Sequence, residues 1–158
     1  MIGGKLHIRR YEPRDREPVQ RLHDAAMHGA GIHLGDGPWY DDLREIEAVY
    51  LRNGGEFLVG TLGGEVVALG AVKKTTADRA EIKYMRVAPE LQRRGFGQTV
   101  LTALERRAAE LGYKTLHLDT AVQQKAARLL YKGNGYREVR RDKKGSLDCV
   151  FYEKSDLA

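Results

Sequence analysis

The sequence holds one cysteine, Cys149, in 158 residues. A lone thiol excludes an internal disulfide framework and any zinc site built on several cysteines, and it fits a reducing compartment. Proline is scarce too, at four residues, and no Pro/Ser-rich stretch marks a linker. A chain of this length suits a single domain over residues 1–158. Long apolar runs are missing: the longest spans residues 66–72, against about 20 residues for a membrane helix. The opening MIGGKLHIRRY has no long apolar core of the kind a secretory signal needs. A cytoplasmic protein without a membrane partner is therefore expected. Aromatic residues make up 8% and are scattered rather than set as a stacking platform. With no RNA-binding signature either, the excess of 27 Lys and Arg over 22 Asp and Glu is not read as a nucleic-acid footprint.

What is present is periodicity. Residues 5–10 alternate apolar and polar positions, as in a strand. Val19, Leu22 and Ala26 recur at helical spacing, predicting a helix over 14–28. The Gly-rich stretch 29–42 reads as a loop. Leu43, Ile46, Val49 and Tyr50 mark a second amphipathic helix, with Asp41 or Asp42 as its cap. Two β-rich runs flank Gly63-Gly64, a hairpin signal. Residues 79–88 form a further strand, ended by Pro89. A long helix follows over 95–111, stopped by Gly112. A strand (114–120), a helix (123–133) and two closing strands complete the chain. Strands outnumber helices and alternate with them only in part, which favours an α+β fold: a mixed sheet with helices on its faces.

The segment from Gln92 to Gln98 joins a strand to the long helix. A helix N-terminus presents unpaired N–H groups and partial positive charge. Gly95 and Gly97 let an anion approach the backbone, and Arg93 and Arg94 add full charges, which suits a diphosphate. The Walker pattern is absent, and the dinucleotide fingerprint fails at Val100, where it needs glycine. On residue chemistry alone, a loop that merely caps a helix stands as the alternative.

Met85-Arg86-Val87-Ala88-Pro89, followed by Gln92-Arg93-Arg94-Gly95-Phe96-Gly97, resembles the acetyl-CoA motif of the GNAT N-acetyltransferase superfamily. A second match follows at the right distance, Ala127-Arg128-Leu129-Leu130-Tyr131 with Gly135-Tyr136. The resemblance implies a mostly antiparallel sheet splayed where two parallel strands separate, with helices on both faces. It implies acetyl-CoA as cosubstrate and direct attack by a primary amine in a ternary complex. Backbone groups around Met85, Arg86 and Val87 would hold the pantetheine as an added strand does. Amides from Arg93 and Arg94 through Gly95, Phe96, Gly97 and Gln98 would hold the pyrophosphate. Gln124 stands where many relatives carry a cofactor-contacting asparagine. Tyr131 would protonate the leaving thiolate, and the N–H of Val87 would polarise the thioester carbonyl.

Glu81 corresponds in place to the base glutamate of some family members; the other reading is a solvated carboxylate paired with a neighbouring lysine. Trp39 and Tyr40 fall in the loop that, by the resemblance, helps to build the acceptor site. They would enclose the acceptor or, alternatively, pin the loop by packing. His23, His28 and His33 are spaced by five and do not share a helix face, so no metal is expected. His117 and Cys149 read as packed strand residues. Homodimers are common in the family, but no interface is marked here. A non-catalytic acyl-CoA-binding domain of the same fold is the second reading, and Tyr131 weighs against it. Charge is divided along the chain: residues 11–65 hold 5 basic and 11 acidic residues, and the remainder 22 and 11. This division leans toward a basic cofactor side and a cationic acceptor.

Overall fold

The computed structural model describes residues 5–32 and 39–157. Seven strands form one sheet in the order β1-β2-β3-β4-β5-β7-β6. They are β1 (His7–Arg10), β2 (Glu56–Leu62), β3 (Glu65–Lys74), β4 (Arg79–Val87), β5 (Thr115–Ala121), β6 (Arg137–Lys144) and β7 (Leu147–Lys154). Only β4 and β5 run parallel; every other pair is antiparallel. The mixed, mostly antiparallel sheet of the sequence reading is thus present. The β2–β3 hairpin turns at Gly63 and Gly64, both at positive φ, as the Gly-Gly signal predicts.

Helices α1 (Arg16–Ala30), α2 (Phe96–Glu110) and α3 (Lys125–Gly133) cover the sheet. Side chains alternate across a strand, and β3 shows the result directly. Ala68 and Val72 pack with Val100, Leu101 and Leu104 of α2. Leu69 and Ala71 pack with Val19 and Leu22 of α1. The two helices therefore lie on opposite faces, each with its own apolar core. The sheet edge beyond β7 is formed by β6, whose residues are nearly all exposed.

Three ends of the sequence reading change. The second amphipathic helix is a 3₁₀ turn, Asp41–Arg44, followed by a π-helical turn, Glu47–Leu51. Asp42 caps neither. Its carboxylate lies inward and accepts from Tyr50 Oη at 2.7 Å and from Tyr84 Oη. Helix α3 begins at Lys125, two residues later than expected.

Two features of β4 shape the interior. It pairs with β5 only at Arg79–Thr115, Ala80–Leu116 and Glu81–His117, and beyond Glu81 the two strands part. It also carries a bulge. Between the rungs Leu69–Arg86 and Ala71–Lys83, β3 advances two residues and β4 three. The extra residue lies at Tyr84–Met85, where Tyr84 has φ +58°, a left-handed conformation that is uncommon for a residue with a Cβ. Opposite the bulge, a Cβ on Gly70 would fall 2.7 Å from Leu104 Cδ1, 2.9 Å from Val100 Cγ1 and 3.0 Å from Met85 Sδ. Glycine at residue 70 is what lets α2 and the bulged strand close together.

Candidate active site

The parting of β4 from β5 opens a cleft. Its walls come from β4 (residues 81–87), β5 (119–121), α1 (Ala26, Met27, Ala30), Trp39, Tyr40, Gln124 and Tyr131. The fold thus brings Glu81, Met85, Arg86, Val87, Gln124, Tyr131, Trp39 and Tyr40 of the sequence reading to one place. Residues 93–98 are not among the cleft-lining residues and form the turn that starts α2.

The bulge resets the alternation of β4. Ala80, Ile82 and Met85 all pack on the α2 side, while Tyr84 packs on the α1 side. Glu81 therefore faces α1, and so, past the bulge, does Arg86. In an unbulged strand, residues five apart would point to opposite faces. Among the described residues, Glu81 makes no side-chain ion pair, although it sits opposite Lys73 in register. The paired-carboxylate reading of Glu81 thus finds no partner here.

Tyr131 is buried, with its ring 5.8 Å from that of Tyr136 and 6.2 Å from that of Tyr152. Burial pushes its hydroxyl pKa up to about 12, against an opposing pull from Arg86. It stays protonated at neutral pH, as a proton donor must. Arg86 donates from Nη1 to the carbonyl of Met85 at 3.1 Å, and its guanidinium lies 5.9 Å from the Tyr84 ring centre. Its Nε is buried without a partner. Burial holds the Arg86 pKa below its ordinary value.

The turn before α2 is built for close backbone approach. Arg93 and Gly95 both have positive φ, and α2 begins at Phe96 with Gly95 as its cap. The helical ladder starts with Thr99 N to Gly95 O at 3.1 Å. The N–H groups of Phe96, Gly97 and Gln98 thus have no acceptor within the helix. The Gln98 side chain is engaged elsewhere, in a reciprocal amide pair with Asn134 at 2.9 and 2.8 Å. Only its backbone remains for a ligand. Gln124 is the N-terminal cap residue of α3, where its side chain makes no capping bond.

Other candidates sort themselves. His23 is 2% exposed and stands against Tyr40 and Tyr84, at ring-centre distances of 4.4 and 5.6 Å. Burial and the nearby Arg86 bring its pKa down to about 4. His28 is exposed, and His33 and Asp36 lie outside the described residues. His117 is half-buried and hydrogen-bonded to Thr75 Oγ1 at 2.7 Å. Burial lowers its pKa. Cys149 is buried in β7, and burial pushes its thiol up to about 11, opposite to what a nucleophile needs.

Among the described residues, the acids of the block 11–65 do not wall the cleft. Asp15 is bonded by Arg9 at 2.7 and 2.9 Å. Glu56 is held by Arg10 at 2.9 Å and by Arg107 at 2.9 Å. Asp42 faces Lys83 and Lys73 at 3.4 and 3.7 Å in addition to its tyrosines. The carboxylates that line the cleft are Glu81 and Asp119, both outside that block. Glu56 and Asp42 are paired with cations distant in sequence, so position along the chain does not place them at the cleft. No local signal announces the roles of Asp42 and Tyr84, since the bulge that joins them carries no glycine.

Comparison with known proteins agrees with this geometry. Residues 17–136 match the model of the acetyltransferase (GNAT) family. The chain is 28% identical over 137 residues to YjgM of Escherichia coli K12, described as an uncharacterized N-acetyltransferase, covering 84% of this chain and 82% of that one. In structure it resembles a GNAT-family acetyltransferase of Staphylococcus aureus Mu50, with TM-score 0.86 and 21% identity over 96% of this chain and 99% of that one. It also resembles yncA of Salmonella typhimurium, solved with acetyl-CoA, with TM-score 0.80 and 20% identity over 96% and 94% of the two chains.

Proposed function

The chain belongs to the acetyltransferase (GNAT) family, and from that premise we propose that it moves an acetyl group from acetyl-CoA to a primary amine by direct attack in a ternary complex. The observation that carries this reading is the convergence of Glu81, the β4 backbone and Tyr131 on the cleft where β4 leaves β5. Pantetheine lies along β4, with the backbone of Met85, Arg86 and Val87 as partners. The pyrophosphate sits at the turn of Arg93, Arg94, Gly95, Phe96, Gly97 and Gln98, and Gln124 contributes its amide.

The chemistry balances as follows. A protonated alkyl amine has a pKa near ~10, so Glu81 takes a proton, directly or through water. The neutral nitrogen attacks the thioester carbon, and the Val87 N–H stabilises the oxyanion. The C–S bond breaks, Tyr131 protonates the thiolate, the nitrogen's second proton passes through water to the Tyr131 phenolate as the amide forms, and Glu81 returns its proton to solvent. The products are an N-acetylated amine and CoA thiol. Trp39 and Tyr40 enclose the acceptor. The site needs no metal, and the protein works in the cytoplasm.

The test is thiol release from acetyl-CoA across a panel of amines, with thermal shift by acetyl-CoA run in parallel. Stabilisation by acetyl-CoA with no thiol release from any amine would favour a non-catalytic acyl-CoA-binding domain. No stabilisation at all would reject both readings.

A further inference from the structure

Among the described residues, three side-chain polar atoms are buried without a hydrogen-bond partner: Arg86 Nε, His23 Nδ1 and Trp39 Nε1. Arg86 and Trp39 line the cleft, and the His23 ring packs 4.4 Å from that of Tyr40, which lines it too. Native interiors pair nearly all such groups, and a charged one above all. Arg86 stays cationic when buried, because its guanidinium loses its proton only far above neutral pH. Yet among the described residues no carboxylate pairs with it. Of the carboxylates around the cleft, Glu81 is the proposed base, and Asp42 and Asp119 have other partners. Asp42 holds two tyrosines and faces two lysines, and Asp119 faces Lys144 at 3.5 Å.

The bulge makes this cation part of the site. The extra residue at Tyr84–Met85 turns Arg86 to the α1 face, the face of Glu81. A proton acceptor and a fixed cation thus stand on one side of one strand in one cleft. The CoA phosphates are no substitute partner, since on the proposed reading they sit at the turn before α2. Resting on that reading, we propose that the acceptor is a small amino carboxylate, such as an α-amino acid, whose carboxylate pairs with Arg86 while its amine faces Glu81. The planar guanidinium fork matches a carboxylate in shape as well as charge. A zwitterion offers an amine to Glu81 and a carboxylate to Arg86, whose Nε has no partner among the described residues.

The test is calorimetric titration of the protein saturated with CoA, using matched probes: common L-α-amino acids, each against its C-terminal amide. At least one acid should bind about ten- to a hundredfold more tightly than its amide. Arg86→Gln should erase that difference, and Arg86→Lys should restore part of it. Amides that bind wild type as well as their acids throughout the panel overturn the proposal. So does a folded Arg86→Gln protein that keeps the preference. If that variant does not fold, the wild-type pairs still decide. Thiol release with acetyl-CoA is scored separately. Transfer to amines with no preference for a carboxylate sinks this inference alone. No transfer to any amine sinks the acetyltransferase reading, and the binding pairs still judge Arg86.

Discussion

Gly70→Ala tests whether the core and the site are one mechanical unit. The added methyl would meet Leu104 Cδ1 at 2.7 Å, Val100 Cγ1 at 2.9 Å and Met85 Sδ at 3.0 Å. Carbon atoms in contact rest about 3.5–4.0 Å apart, so two side chains of α2 and one of the bulge must retreat together. Leu104 and Val100 are 0% and 1% exposed, so neither can swing into solvent. Overpacking of this kind costs about 1–3 kcal/mol. Replacing glycine narrows the unfolded ensemble and offsets about 0.4–1 kcal/mol. The net loss is about 0–2.6 kcal/mol, centred on ~1.3, and at about 2–4 °C per kcal/mol for a chain of this size Tm falls by up to about 10 °C. Met85 is also displaced, so acetyl-CoA should bind more weakly than to wild type. The assays are thermal unfolding and calorimetric titration with acetyl-CoA. Gly133→Ala, whose new methyl meets nothing within 4 Å, is the stability control. If Gly70→Ala melts with wild type and binds acetyl-CoA equally well, the coupling between α2 packing and the bulge is refuted.

Three further outcomes follow from the site. Tyr131→Phe should lower kcat by about a hundredfold or more with acetyl-CoA affinity nearly unchanged; stopped-flow thiol release and titration check both, and equal turnover rejects the acid role. Glu81→Gln should abolish the acidic limb of the pH–rate profile, and a mutant profile matching wild type removes Glu81 as base. Asp42 has its carboxyl held below the usual carboxylate range by the Tyr84 and Tyr50 hydroxyls, with Lys83 and Lys73 adding to them against the cost of burial. Its stabilisation is complete above the unfolded pKa of ~3.9 and is lost as pH falls through the lower folded value. Urea unfolding at several pH values should show wild type converging on Asp42→Asn as acid is added; a constant gap between them contradicts the assignment.

Much of the fold is legible because burial writes a period into the sequence. The β-rich runs of β2 and β3, buried on both faces, the Gly63-Gly64 turn and the apolar stripe of α2 each follow from what meets the core. The two motifs also bring the cleft residues into view through their resemblance to a known family. What escapes is set by contacts between residues far apart. Residues 79–88 read as one regular strand, because nothing local announces a left-handed tyrosine. Its support comes from Asp42, about forty positions away in the chain. Asp42 itself reads as a cap, since an aspartate before an apolar stripe has that meaning locally. Arg86 was read only through the cofactor strand, and its acceptor-side direction depends on the bulge. The second helix is a 3₁₀ turn and a π turn, across which Tyr50 reaches inward to Asp42.

The edge strand β6 has a consequence for the protein in a crowded solution. A sheet's last strand offers free backbone groups to any other chain that can align with it. Here that strand reads Arg137-Glu138-Val139-Arg140-Arg141-Asp142-Lys143-Lys144, and the pairing with β7 slips at Glu138–Arg140. Five cations against two anions on an irregular ribbon repel a second copy laid alongside and spoil its register. The opposite edge, β1, is only four residues long. The molecule can therefore be concentrated without its sheets fusing end to end. Charge on the sheet's outer edge keeps the cleft-bearing molecules apart.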